Sequence, residues 1–449
     1  MNDSFNSKIL RLAVPIAFQQ FMLALASACD VLMLGGVNQD SLSAVSLASQ
    51  VTFVFNLVMS ALVTGENMFI AQYYGKLDYK GVRNSAGYVL KFVMLNCVFF
   101  FLITLFAPQF LMRLFTNDTV LITYGCRYLR IVGLSYIFSG MTQVIQGILK
   151  NCGHVGKCTM ISTVIVIVNI ILNATLIYGW FGLPAMEIAG VALATVIANG
   201  MGLALALWTL IFADNKVLLL TPDDIIKTND NLKSRFWKHV LPVLLNELIW
   251  GCGFTMYSVI LGHLGSDAVA ANSIVNITKN LLICVCYGFG FGGSIIVGNM
   301  LGQGKTSEVK EIGNRLCKLS VISGIATGAV IICLIPLITR FTNLEPTAAG
   351  YLKWMLIMSS YYVAGKSVNC MVISGIFPAG GDTRFGAMCD AVTMWCFAVP
   401  LGCIVAFVLK LPVLAIYFFL NLDEVVKLPA VYIHYKKYKW IKNLTEMEN

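Results

Sequence analysis

The sequence predicts an all-α membrane protein: twelve transmembrane helices, in two parallel-repeat six-helix lobes around a central cavity. Three observations predict this. Of 449 residues, 58% are hydrophobic and 12% charged, about half the charged share of a soluble domain. The apolar runs are long enough to cross a bilayer. The second half of the chain repeats the first.

A span needs about 20 mainly apolar residues. Twelve stretches qualify: 11–35, 43–72, 86–107, 126–149, 158–180 and 188–213, then 240–262, 268–300, 317–339, 352–377, 386–409 and 411–434. The longest polar stretch, from Asp214 to His239, falls near the middle of the chain. It divides the chain into an N-terminal lobe, 1–213, a cytoplasmic linker, 214–239, and a C-terminal lobe, 240–449, with a basic tail.

The cations orient the spans. With the N-terminus inside, 21 of the 31 lysine and arginine residues fall in inner segments and 6 in outer ones. This bias places both termini in the cytoplasm of a multi-pass protein of the plasma or inner membrane. The net charge of +9 then belongs to a basic inner face beside anionic lipid, and no nucleic-acid partner is expected.

The repeat is read by aligning Pro15 with Pro242. Without a gap, Gly35 then meets Gly262, Asp40 meets Asp267, Ala44 meets Ala271, Gly65 meets Gly292 and Gly75 meets Gly302. Later, Tyr128-Leu129 echoes Tyr351-Leu352, and ILKNCGHVGK echoes IFPAGGDTRF. Six spans per half return the chain to its starting side, so the copies run parallel, with a cavity expected between them. The run GFGFGG, Gly288 to Gly293, and Gly65 in the matching span read equally as bends or as close packing by small residues.

Several chemistries are excluded. None of the fourteen cysteines forms a CxxC pair, and most lie in apolar runs, so they read as small buried hydrophobes. The four histidines are scattered, without metal-ligand spacing. No nucleophile constellation marks an intramembrane enzyme. The ASAC before Asp30 lacks the leucine of a lipoprotein box, and the segment is expected to stay as a span.

What remains is a set of isolated charges in oil, each costing a few kcal/mol on insertion scales. Asp30 lies ~10 Å from the centre of the first span, at 1.5 Å per residue, on a face shared with Gln19 and Ser27. Glu66 sits near the inner end of its span, where it is expected to reach water. Asn169 and Asn173 share a face of the fifth span, and Thr195 is in the sixth. A carboxylate, two amides and a hydroxyl are oxygen ligands suited to Na⁺ or a site for H⁺. In the second half Glu247 is early in the seventh span, Lys366 is central in the tenth, and Asp390 opens the eleventh. Asp423, Glu424 and Lys427 have pairing distance along the twelfth. Lys366 has no carboxylate within a turn, so it needs one from another helix; Asp390 and Glu247 are both candidates. Met33, Phe55, Met59, Phe254 and Tyr257 are candidates for the wall of a substrate cavity, and equally ordinary as core.

These residues carry a family resemblance. PIAFQQ, DVLMLGGV, SLSAVSLAS, IAQYYGK and VNIILN with GLPAMEIAGVALATVIA, then LPVLLNEL, LGSDAVAANSI and GGDTRFGAMCDAVTMWCFAVPL, resemble the multidrug and toxic compound extrusion (MATE) transporters over nearly the whole chain. The resemblance implies a secondary active antiporter. It would export a small amphipathic, cationic substrate by alternating access, driven by H⁺ or Na⁺, with no cofactor and as a monomer. It implies a cation-coupling role for Asp30, with Asn169 and Thr195 beside it, and a second-lobe acidic role for Glu247, with Asp382 as a further candidate. The family often has an aspartate where this chain has Asn173, which weakens Na⁺ binding at Asp30 and favours proton exchange. Rival readings are a lipid-linked saccharide flippase, expected to need several cavity lysines or arginines, and a membrane sensor that no longer transports.

Overall fold

The computed structural model describes residues 2–35, 39–179, 185–212, 219–226, 230–342 and 344–446. Among these every regular element is helical. The first half holds α1 (Asn2–Gly35), α2 (Gln39–Gly75), α3 (Tyr79–Phe106), the short α4 (Pro108–Arg113), α5 (Thr119–Asn151), α6 (Val155–Tyr178) and α7 (Glu187–Phe212). The short α8 (Pro222–Ile226) leads to α9 (Asp230–Gly262), α10 (Ser266–Gly302), α11 (Thr306–Phe341) and α12 (Pro346–Asn369). Ten helices among the described residues are long and apolar enough to cross a bilayer. They correspond to the first nine expected spans and the eleventh.

The tenth and twelfth expected spans are helical but irregular. Beyond Lys366, α12 passes into a π-helical stretch, Cys370–Ile376, and the short α13 (Phe377–Ala379). The eleventh span is α14 (Thr383–Ala391), a π stretch at Val392–Ala398, α15 (Val399–Cys403) and a further π stretch at Ile404–Val408. The twelfth is three pieces, α16 (Val413–Leu420), α17 (Asp423–Val426) and α18 (Leu428–Lys436). Such irregular turns free or re-aim backbone groups, and they flank the charged residues of this region.

Local chemistry sets the ends of the regular helices. Asp78 accepts from the Gly81 amide at 2.8 Å and starts α3, and Asp118 accepts from the Val120 amide at 2.8 Å and starts α5. Each carboxylate satisfies an amide that has no partner within its helix. Gly179, at φ 71°, closes α6 in the left-handed region, the conformation a glycine adopts without strain.

The duplication is visible in the helix limits. The offset that lays Pro15 on Pro242 also lays Gly35, the end of α1, on Gly262, the end of α9. It lays both limits of α2 on those of α10, and the start of α3 on the start of α11.

Packing divides the chain into Met22–Phe236 and a second unit made of Met1–Phe21 with Trp237–Asn449. This differs from the boundaries read at 213 and 240. The cause lies in α1. A Cβ on Gly288 would come within 2.4 Å of the Ala13 carbonyl oxygen and 2.6 Å of the Ala17 side chain. Ile9 is buried with Ile296, Val297 and Leu301 in the core of the second unit. The start of α1 therefore belongs to α10. The glycines of GFGFGG act here as packing points within one helix.

Residues 214–218 and 227–229 of the expected linker lie outside the described residues. Of the rest, α8 folds onto α3: Asp224 accepts from the Thr221 amide and hydroxyl at 2.9 and 2.7 Å and faces Arg83 at 3.4 Å. A Cβ on Gly87 would lie 2.5 Å from the Asp224 carbonyl oxygen. Part of the linker is thus structural material of the first unit.

Large apolar side chains stay exposed along the long helices, among them Phe106, Ile322, Ile325 and Val408 at 78, 62, 61 and 72%. A bilayer is the solvent that such surfaces need. The same surfaces correct the reading of three cysteines. Cys97, Cys284 and Cys286 are buried, but Cys252, Cys333 and Cys396 are exposed, because a thiol is as acceptable to lipid as to a core.

Candidate ion-coupling site

In the first unit, four residues singled out from the sequence meet. Near the end of α1, half-buried Asp30 accepts a hydrogen bond from Asn173 Nδ2 at 2.5 Å. Asn173, fully buried on α6, also donates to Asn169 Oδ1 at 3.2 Å, one turn earlier. Asn169 Nδ2 in turn reaches Thr195 Oγ1 on α7 at 3.4 Å. The four-residue spacing of the asparagines puts both amides on one helix face. The result is a line of polar groups from α1 through α6 to α7. Tyr178 closes its end by donating to the Met33 carbonyl at 3.1 Å.

The amide donors of this line are spent on oxygens, while Asn173 Oδ1 is buried without a partner. Beside the carboxylate, then, stands an acceptor that lacks a donor. Tyr128, buried on α5, lies within the electrostatic reach of Asp30. Tyr136 shares a hydrogen bond of 2.9 Å with Thr52 and stacks on Phe55 at 4.5 Å. Sequence reading did not select Tyr128. Its only signal was the Tyr-Leu pair shared by the two halves.

Ser27 and Gln19 do not extend the Asp30 face. Ser27 is exposed and returns its hydroxyl to the Leu23 carbonyl at 3.3 Å. Gln19 is buried in the second unit. Phe55 and Met59 are fully buried core residues of the first unit.

The second unit holds a different arrangement. Glu424 on α17 accepts from Lys366 of α12 at 3.0 Å and from Lys427 at 3.1 Å. It also accepts from Asn369 Nδ2, at 2.7 Å to its carboxylate and 2.7 Å to its backbone oxygen. Lys427 pairs in addition with Asp390 of α14 at 2.8 Å, and Asn246 of α9 donates to the other oxygen of that carboxylate at 3.2 Å. The ammonium of Lys366 also lies 5.3 Å from the Trp250 ring, a cation–π contact.

This corrects the expected pairing. Lys366 takes Glu424 as its carboxylate, not Asp390 or Glu247. Asp390 goes to Lys427. Of the two carboxylates expected within reach along the twelfth span, Lys427 holds Glu424, while the Oδ1 of Asp423 is buried without a partner. Glu247 is half-buried on α9 and acts on Tyr287. Phe254 is 38% exposed and stacks on Trp250 at 5.5 Å, and the Tyr257 hydroxyl is buried without a partner. Asp382 stands apart, at the turn before α14. It bonds His434 Nε2 at 2.7 Å, and the His434 ring stacks on Phe385 at 3.7 Å.

Glu66 is a further correction. Instead of reaching water it is fully buried, and neither carboxylate oxygen has a hydrogen-bond partner.

With this geometry in hand, the comparison with known proteins is direct. The MatE family model matches residues 15–175 and 242–428. The chain belongs to the MATE family. The two matched segments are its two repeats. Relatives include the Bacillus subtilis transporter YisQ, 22% identical over 97% of this chain and 95% of its own length. The NorM protein of Thermotoga maritima, named a probable multidrug resistance protein, is 21% identical over 97 and 93%. Among solved structures, the MATE transporter VcmN of Vibrio cholerae superposes with a TM-score of 0.89 at 15% identity, covering 98% of each chain. A MOP superfamily transporter from Pyrococcus furiosus gives 0.87 at 17%, covering 98 and 96%. This MATE protein is a multi-pass, all-helical membrane transporter and not an enzyme.

Proposed function

We propose that this MATE protein is a secondary active multidrug efflux antiporter that expels small amphipathic cations in exchange for protons bound at Asp30. The observation that carries the reading is the line Asp30–Asn173–Asn169–Thr195. An amide is both donor and acceptor. Ionised Asp30 accepts from Asn173 Nδ2; protonated Asp30 donates to the orphaned Asn173 oxygen after the amide turns over. Both charge states therefore find a partner, as a reversible proton carrier requires. Na⁺ at Asp30 would rely on a single carboxylate, with Asn169 Oδ1 and Thr195 Oγ1 already accepting hydrogen bonds.

Antiport follows if protonation favours one arrangement of the two units and substrate the other, because coupling requires each ligand to prefer a different state. Alternating access of two lobes, a monomeric state and cytoplasmic termini at the cell membrane complete the proposal, the last supported by the lysine and arginine bias. The second unit argues against the flippase alternative. Of its span cations, Lys366 and Lys427 are engaged by carboxylates and Lys279 lies over the Tyr362 ring at 4.8 Å.

The test is substrate flux in proteoliposomes under separate pH and Na⁺ gradients. The wild type is expected to respond to the pH gradient. Asp30→Asn is expected to lose at least about tenfold of that flux, the consequence of about 1.4 kcal/mol or more of lost coupling. Glu247→Gln is expected to lose less. Unchanged pH-driven flux in Asp30→Asn removes the proposal, and flux driven by Na⁺ alone replaces the coupling ion.

A further inference from the structure

The inner half of α2 holds a carboxylate that the Asp30 line does not use. Glu66 is fully buried, and both of its oxygens lack hydrogen-bond partners. It lies against Gly147 of α5, where an added Cβ would sit 2.6 Å from Glu66 Oε2. The carbonyl of that glycine accepts from Asn151 Nδ2 at 2.8 Å, and the same nitrogen donates to Asn67 Oδ1 at 2.6 Å. Asn151 Oδ1 is buried and unpartnered as well. Three buried acceptor oxygens of the two residues that lie against Gly147 thus lack a donor. Lys150 is the charged group that acts on Glu66 among the described residues, and Cys152, at the end of α5, is the titratable neighbour on which Glu66 acts. Cys158 on α6 acts on Lys150.

We propose that Glu66 is a proton-binding site of the first unit, separate from Asp30, and that Lys150 is its alternative partner. An unpaired ionised carboxylate in so dry a place is strongly unfavourable, whereas a proton neutralises it and supplies the donor that the oxygens lack. An alkali cation would need more oxygens and would meet the Lys150 ammonium. Two arrangements leave no bare carboxylate. In one the carboxyl holds a proton and Lys150 stands away; in the other Lys150 closes on the carboxylate and the proton leaves. The site lies nine residues from the end of its helix. At 1.5 Å per residue the 37 residues of α2 span ~55 Å, well beyond a hydrocarbon core of ~30 Å, and Glu66 is in the last third. The proposal stands whether or not Asp30 couples transport.

Infrared difference spectroscopy of the purified protein in liposomes reads protonated carboxyls by their carbonyl band. At neutral pH a band is expected that vanishes in Glu66→Gln and persists in Asp30→Asn, each variant first shown folded by circular dichroism and monodispersity. Lys150→Gln is expected to keep the band, because it removes only the alternative partner. Should Glu66→Gln fail to fold, Lys150→Gln and Asn151→Leu decide. The first must keep the band, and the second must shift its frequency by removing the neighbouring oxygen. Persistence of the band in folded Glu66→Gln, its loss in Lys150→Gln, an unshifted band in Asn151→Leu, or its titration by Na⁺ at fixed pH would each overturn the proposal.

Discussion

The two units place carboxylates in an apolar setting by opposite means. In the first, Asp30 is held by one amide, at the end of a line that continues through a second amide to a hydroxyl and in which no cation takes part. In the second, Glu424 and Asp390 are held by two lysines as well as by amides. Each arrangement suits a different chemistry. An amide line leaves the acid free to gain a proton, since the proton takes nothing from a fixed counter-charge. An ion pair resists protonation, because neutralising the acid strands an ammonium. The duplicated halves thus share the limits of α2 and α10 while their charges have diverged into an amide-held acid and a set of ion pairs.

The comparison can be broken most forcefully in the second unit. Glu424→Gln leaves Lys366 and Lys427 without their shared carboxylate, and removing one partner of a buried pair costs about 3–5 kcal/mol. Thermal unfolding in detergent is expected to show a variant that barely folds. Replacing both members of the other pair, Asp390→Leu with Lys427→Met, should be far milder than Lys427→Met alone, since no uncompensated charge remains. Equal losses for the single and double changes would mean that Asp390 and Lys427 do not act as a pair.

The first unit should respond less. Asn173→Leu withdraws the donor from Asp30 and is expected to lower stability by about 1–3 kcal/mol, read in the same assay. A loss as large as that of Glu424→Gln would show that Asp30, too, is a fixed charge. Smallest of all is Thr195→Val. Its contact with Asn169 is long, 3.4 Å, and a net effect of about 0.5–1 kcal/mol is expected, with proton-driven flux in proteoliposomes retained.

Some of this was legible in the sequence for a definite reason. Asn169 and Asn173 meet Asp30 and Thr195 much as their positions suggested, because the four-residue spacing fixes a shared face once α6 is a helix. The ion pairs were not legible in the same way. Lys427 was placed with Glu424 by their spacing along the twelfth span, but the partner of Lys366 comes from a distant part of the chain. The π turns before and within the eleventh span interrupt the regular helical spacing from which a shared face is read. Glu66 was misread for a related reason. Distance from the end of a span says nothing about Gly147 of a neighbouring helix lying over the carboxylate.

By itself the sequence determined what depends on local periodicity and on transfer from water to oil: an all-helical membrane chain, the number and order of its spans, and a duplication whose offset reproduces the limits of α2 and α10. The tertiary structure alone decided that the start of α1 packs with α10, that Lys366 belongs to Glu424, and that Glu66 is sealed from water. Helix formation is settled within a few residues, by hydrogen bonds four apart and by an apolar run. A buried partner is settled by which helices touch, and that depends on small residues such as Gly147 and Gly288, whose importance appears only when another helix rests against them.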